Sequence, residues 1–260
     1  MDQRVLVLGS KGYIGRYLYR FLEKETDVFV HSRRTEEISE VVKKIRPTIV
    51  INCSASSLNE KFNNSLEANF LYQSDFLRCL TESDAPITWI QLASYYELQI
   101  PFGRADYYSH HKSLFRNLLT TMHESEKVRV KTLFLPHVFG LDEKPSRIIP
   151  TIRNMILNKI PSNFSKGDQF LPLLHIGDAS EAIWKSVFSE EKVTSATPFW
   201  HGRVRELVEL AVGLDNTSLA KFDPENLQVD NFYPRVEFPS KVTNWEPKYS
   251  LDNLIEYLTN

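Results

Sequence analysis

Only two cysteines, Cys53 and Cys79, occur in 260 residues. Two thiols make neither a disulfide framework nor a metal-ligand spacing. Both lie in apolar surroundings and read as reduced core residues, so no metal site is expected. Long apolar runs are missing too. No stretch reaches the roughly 18 residues that a membrane-spanning helix needs. The opening MDQRVLVLGS carries an apolar run too short for a signal peptide, and it ends in glycine. A soluble cytoplasmic chain is therefore the expectation. Excess charge of one sign is absent, the formal net charge being -2, and the aromatics are not interleaved with Lys/Arg runs. Nucleic acid is not an expected partner. No internal repeat or low-complexity linker is found.

What is present is alternation. With 42% hydrophobic and 25% charged residues the chain can bury a sizeable core. Short apolar runs, Arg4–Ser10, Asp27–Ser32, Thr48–Ser56, Ile87–Ser94 and Val128–Gly140, read as strands. Between them lie segments of helical period: YIGRYLYRFLEKE, EEISEVVKKIRP, SLEANFLYQSDFLRCLTES and ADYYSHHKSLFRNLL. Near-continuous apolar strands separated by helices predict an α/β fold, a doubly wound parallel sheet covered on both faces. After Gly140 the rhythm loosens and prolines punctuate the tail, which reads as a smaller C-terminal lobe. Asp178 is expected to cap the helix DASEAIWKSVFSEE, and Ser250 the final helix SLDNLIEYLTN.

The first chemical motif is Gly9, Gly12 and Gly15 in VLVLGSKGYIGRYL, between a strand and a helix. The first glycine permits the turn, the second admits a pyrophosphate to the backbone, and the third lets the helix pack on the sheet with its amides facing the phosphates. The second strand then ends in His31-Ser32-Arg33-Arg34 where an acidic residue would read a ribose 2′-hydroxyl. Guanidinium groups and a hydroxyl suit a 2′-phosphate, so NADP(H) is the expected cofactor. Residues 1–140 then form the Rossmann part, with 173–190 returning to it. Residues 141–172 and 191–260 form the substrate-binding lobe.

The second motif is Tyr108 and Lys112, four residues apart and so on one helix face. A bare Y-x-x-x-K match arises by chance; position gives it weight. The motif follows a strand ending in Ser94, and the carboxyl ends of strands form the ligand crevice of a doubly wound sheet. Ser94 would polarise a carbonyl, Tyr108 would transfer a proton, and Lys112 would lower the phenol pKa and hold the nicotinamide ribose. His110 and His111 are consecutive on a helix, point to different faces, and do not read as metal ligands.

These motifs, with EANFLYQSDFL, LFLPHVFG, FLPLLHIGDASEAI and VTNWEPKYSLDNLIEYL in that order, resemble the extended short-chain dehydrogenase/reductases, the NAD-dependent epimerase/dehydratase group acting on nucleotide sugars. The resemblance covers nearly the full length. It implies Ser94, Tyr108 and Lys112 as catalytic residues. It implies a cofactor-binding set of Gly9, Lys11, Gly12, Tyr13, Ile14, Gly15, Ser32, Arg33, Arg34, Ser54, Ala55, Asn69, Pro136 and His137. Tyr95, His137 and Arg147 are the expected substrate-binding residues, and a homodimer paired through helices including Tyr108–Met122 is implied. The chain departs from the family pattern at His137, in place of the usual Asn. Phe134 stands where an Arg is common, and Leu171-Pro172 where an Arg-Asp pair is usual. Tyr95-Tyr96 replaces the acidic pair of the dehydratases, which argues against 4,6-dehydration.

The resulting expectation is an NADPH-dependent reductase of the 4-keto group of a nucleotide-linked deoxysugar, of the kind that makes CDP- or dTDP-linked deoxysugars. Two other readings are an epimerase with tightly held cofactor and a non-catalytic NADP(H)-binding regulatory protein.

Overall fold

The computed structural model describes residues 3–31, 37–82, 86–122, 127–213, 218–223 and 235–260. In chain order, β1 (Arg4–Leu8), α1 (Tyr13–Leu22), β2 (Asp27–His31), α2 (Ile38–Ile45) and β3 (Ile49–Asn52) open the fold. The next segment is one helical rod, α3 (Phe62–Leu66) running through a π-helical turn (Glu67–Leu71) into α4 (Tyr72–Thr81). Then come β4 (Ile87–Ser94), the short α5 (Tyr95–Leu98), α6 (Tyr107–Met122), β5 (Val128–Leu135) and β6 (His137–Phe139). The remainder comprises α7 (Ile148–Asn158), β7 (Ser162–Phe164), β8 (Phe170–His175), α8 (Ile176–Ser186), β9 (Val193–Ser195), β10 (Trp200–Arg203), α9 (Val204–Val212), β11 (Ala220–Phe222) and α10 (Leu251–Thr259).

Among the described residues the main sheet has six parallel strands in the order β2-β1-β3-β4-β5-β9. Alternate side chains of one strand enter opposite cores. Val5, Val7, Ile49, Ile51, Ile90 and Leu92 pack beneath α1 and α8, while Leu6, Leu8, Val50, Trp89 and Val130 pack beneath α2, α4 and α6. Both faces are buried, which is why these strands read as continuous apolar runs rather than alternating ones.

Chain order reverses between β1 and β3. β2 returns to one side of β1 and β3 crosses to the other. Loops leaving the carboxyl ends of β1 and β3 therefore diverge, and a crevice opens between them.

The single strand expected over Val128–Gly140 is two. Pro136 has no N–H to extend the ladder, so β5 stops at Leu135 and β6 leaves the main sheet to pair with β8 in a second sheet, β10-β8-β6. β9 lies at the edge of the main sheet, although the sequence reading assigns its segment to the smaller lobe. A third core joins α7, α9 and α10 around Phe139, whose fully buried ring meets those of Phe199, Tyr249 and Tyr257. Asp178 does not cap α8. His175 occupies the N-cap and accepts from the Gly177 amide at 3.3 Å. Asp178 instead accepts from the amides of Lys248 (3.2 Å) and Tyr249 (2.9 Å), tying the C-terminal segment to α8. Ser250 caps α10 as expected.

Phe139→Ala should empty the centre of the third core and lower the unfolding free energy by about 3–5 kcal/mol. Leu210→Ala, at an exposed position of α9, should stay within about 0.5 kcal/mol of the parent. Urea denaturation measures both, and equal losses would contradict this packing.

Candidate active site

The glycine turn is dictated by crowding. Gly9 has a φ of +75°, and a Cβ there would lie 2.8 Å from the Ser54 amide nitrogen. The backbone leaving β1 thus touches the backbone leaving β3. A Cβ on Gly15 would run into the Gly9 carbonyl, so α1 can pack this closely only with glycine at that position. Gly12 is the N-cap of α1, with no side chain capping the helix. Free amides and a positive helix end are left at the crevice, with Lys11 exposed and Tyr13 and Ile14 half-buried in the first turn. The turn has the room and the donors to hold a dinucleotide pyrophosphate.

Beneath the Ser54 loop lies an amide network that the sequence reading did not find. Asn52, at the end of β3, donates to Gln73 and Gln91 (both 2.8 Å) and accepts from the Ser54 amide at 3.1 Å. Gln73 in turn donates to the Ser54 carbonyl at 2.9 Å. Asn69 sits on the π-helical turn, donates to Ser56 (2.8 Å) and Ser65 (3.0 Å), and accepts from the Ser56 amide (3.1 Å). Its amide is engaged in fixing this loop. Ala55 is exposed beside it. Ser32, Arg33 and Arg34 lie outside the described residues.

Ser94 ends β4 and caps α5. Its hydroxyl accepts from the Tyr96 amide at 3.3 Å, and its amide donates to Glu97 Oε1 at 2.8 Å. Glu97 is buried and bound through Oε2 to Arg116 Nε at 2.9 Å. It is a positioning residue absent from the sequence reading, although Ser94-Tyr95-Tyr96-Glu97 has the spacing of a capping box. The Ser94 hydroxyl lies near enough to the Tyr108 phenol to pull its pKa down. Tyr108 is half-buried with its ring edge on Tyr96. Tyr107, by contrast, is 51% exposed and stacks on His111.

Lys112 is buried, donates to the Leu92 carbonyl at 2.7 Å, and holds Nζ 5.7 Å from the Tyr108 ring centre. The expected lowering of the phenol pKa by Lys112 is not what this arrangement produces. Burial pushes the Tyr108 pKa up, the Glu97 carboxylate adds to the rise, and the nearby Ser94 hydroxyl only partly opposes it. Burial likewise lowers the Lys112 pKa.

Pro136 and His137 follow β5 at the same edge. His137 is buried; its Nδ1 receives Arg147 Nη2 at 3.4 Å, and Nε2 lies 3.3 Å from Glu143 Oε1. Arg147 Nε also lies 3.3 Å from that oxygen. Tyr95 is buried with its ring centre 4.1 Å from that of Tyr96, and burial raises its pKa. No cluster of His, Cys, Asp or Glu among the described residues could hold a metal ion.

Burial holds the imidazoles of His137 and His175 below their ordinary value, and that of His201 in the smaller lobe is pushed down to about 4. Unfolded imidazoles gain protons as pH falls through about 6.5, before the folded ones do. The melting temperature should therefore fall from pH 7 to pH 5, and less steeply in His137→Gln. A flat profile over that range would contradict neutral, buried imidazoles.

The NAD dependent epimerase/dehydratase family model matches residues 5–196, about three quarters of the chain. Solved structures of the same fold include UDP-glucose 4-epimerase of Thermotoga maritima with UDP-glucose, at 13% identity and TM-score 0.82, covering 99% of this chain and 97% of that one. The dTDP-glucose 4,6-dehydratase of Bacillus anthracis in complex with NAD is 15% identical at TM-score 0.82, covering 99% and 96%. RMD of Pseudomonas aeruginosa complexed with NADPH is 16% identical at TM-score 0.76, covering 99% and 98%. No match is found among curated protein sequences. No helix among the described residues is long and apolar enough to cross a membrane. The matched segment runs from the first strand through the glycine turn, the Ser94–Tyr108–Lys112 group and β9, and this chain belongs to the NAD-dependent epimerase/dehydratase family.

Proposed function

We propose that the protein is an NADPH-dependent reductase of the 4-keto group of a nucleotide-linked deoxysugar. The observation that carries this reading is Lys112, buried, bound to the Leu92 carbonyl of β4 and 5.7 Å from the Tyr108 ring centre, at the carboxyl edge of the sheet where Ser94 ends the same strand. A carbonyl oxygen placed there would accept from the hydroxyls of Ser94 and Tyr108. The nicotinamide, when bound, supplies a hydride donor. Tyr108 then gives the proton that the new alkoxide needs. Because burial and Glu97 raise its pKa, the phenol holds that proton at neutral pH. This is the form reduction requires; an epimerase must first take a proton from an alcohol, which requires the phenolate. Glu97 is committed to Ser94 and Arg116, which fits a site without the acidic partner of dehydration.

The uncapped amides of α1 and the crowded glycines support dinucleotide binding. Arg33 and Arg34, with Ser32, are proposed to read the 2′-phosphate, so NADP(H) is preferred. Gly9, Gly12 and Gly15 with Ser54, Ala55 and Pro136 frame the cofactor, and Tyr95, His137 and Arg147 face the sugar nucleotide. The smaller lobe, built on α7, α9 and α10, closes over the substrate. We also infer a homodimer seam on α6, where Leu114 and Leu118 are exposed.

A panel of 4-keto sugar nucleotides should be reduced with one NADPH oxidised per turnover, and Tyr108→Phe should lower kcat by about 10²–10⁴-fold with cofactor affinity kept. Turnover without net NADPH loss would identify an epimerase, and full activity in Tyr108→Phe would remove the phenol from the chemistry. Arg33→Ala with Arg34→Ala should weaken NADPH binding by about tenfold or more and leave NADH binding unchanged. Equal effects on both cofactors, read by fluorescence titration, would contradict the 2′-phosphate assignment.

A further inference from the structure

Three buried polar groups, none of them part of the Ser94–Tyr108–Lys112 group, meet where the glycine turn faces the smaller lobe. Glu143 has a side chain only 3% exposed, and its Oε2 has no hydrogen-bond partner among the described residues. His137 is equally buried, and its Nε2, although 3.3 Å from Glu143 Oε1, is not aligned for a hydrogen bond. The hydroxyl of Tyr13 is the third such atom. It borders Gly140, which in turn accepts from the Glu143 amide at 3.4 Å. The Glu143 carboxylate is close enough to add to the rise of the Tyr13 pKa that burial causes. A buried carboxylate oxygen without a partner costs several times an ordinary hydrogen bond, so such an oxygen calls for a ligand donor.

The chemistry of that ligand follows from the proton positions. Arg147 Nη2 points a proton at His137 Nδ1, which makes Nδ1 the acceptor. In the neutral imidazole, Nε2 then carries the hydrogen. The group thus offers a donor, His137 Nε2–H, beside an acceptor, Glu143 Oε2. One hydroxyl satisfies both, accepting from the imidazole and donating to the carboxylate. A phosphate or carboxylate offers acceptors only and meets the Glu143 charge. Arg147 does not reverse that repulsion, because its guanidinium is paired with Glu143 Oε1. Glu143 also borders a cavity of about 160 Å³ lined by Gly140, Arg153, Asn154 and Tyr257, so space adjoins it.

We propose that Glu143, with His137, is a specificity-determining site that recognises a hydroxyl of the substrate's sugar. This rests on the nucleotide-sugar reading above. The same hydroxyl chemistry is present on the nicotinamide ribose, and the test separates the two sources.

The NADPH-loaded protein is titrated by calorimetry with UDP, dTDP, CDP and GDP and with their glucose conjugates. In the parent, at least one glucose conjugate should bind more tightly than its bare nucleotide. In Glu143→Gln, which keeps the shape but presents an amide, that gain should fall by about tenfold or more, with NADPH affinity and melting behaviour retained. An undiminished gain in folded Glu143→Gln overturns the proposal. Weaker NADPH binding with an unchanged sugar gain also overturns it, and assigns the group to the cofactor ribose. Should none of the nucleotides or conjugates bind the parent, the nucleotide-sugar reading itself fails and the subsite falls with it. His137→Gln provides a second arm, in which the gain should also drop; a gain kept in both variants overturns the donor–acceptor pair.

Discussion

The close approach of Gly9 to the backbone of Ser54 is the constraint on which the site depends. Two parallel neighbours, β1 and β3, send their chains in opposite directions from one edge of the sheet, and their backbones touch as they part. With no side chain between them, the first turn of α1 lies over the crevice with its amides free. The Asn52–Gln73–Gln91 network fixes the far wall of that crevice from below. The remaining strand ends complete it: β4 delivers Ser94, and β5 delivers Pro136 and His137. Lys112 reaches back from α6 to the Leu92 carbonyl of β4. The geometry proposed for the site is a consequence of sheet topology, with α6 carrying Tyr108 and Lys112 to the edge.

Electrostatics then divides the crevice. On the α5–α6 side the acidic residue is spoken for, since Glu97 holds the Ser94 amide and the Arg116 guanidinium. Its field and the burial of Tyr108 keep the phenol protonated. On the side of the smaller lobe the acidic residue is only half engaged, Glu143 leaving one oxygen open. The first environment suits proton donation to a carbonyl, and the second suits recognition of a hydroxyl. A neutral buried His137 fits between them, because an imidazolium there would need a carboxylate partner, and Glu143 is already paired with Arg147.

Much of this was legible in the sequence, for physical reasons that particular residues display. Val5 and Val7 face one core and Leu6 and Leu8 the other, so the uninterrupted apolar run itself reported a sheet covered on both faces. Gly9 and Gly15 were readable because each is required by contact rather than by flexibility alone. The choice of Tyr108 over Tyr107 rested on a four-residue step to Lys112, whose Nζ lies 5.7 Å from the Tyr108 ring centre. Other features were hidden. Pro136 in LFLPHVFG looked like an interruption within one strand, yet it marks the passage from one sheet to another. Asp178 had the composition of a cap, but its partners, the amides of Lys248 and Tyr249, lie about seventy residues away. Asn52, Gln73 and Gln91 are unremarkable singly, and only strand pairing and the rod from α3 to α4 bring them together. The sign of the Tyr108 shift also required the fold, since Glu97 and burial act through space.

The central claim is that hydride from a reduced nicotinamide ends on the sugar carbon bearing the ketone, with Tyr108 supplying the proton. The most direct measurement uses NADPH deuterated at the transferring position and follows the product of a 4-keto sugar nucleotide by proton NMR and mass spectrometry. One deuterium per product, bound to C4, is the predicted result. A product formed without deuterium, or with label at any other carbon, would contradict the account.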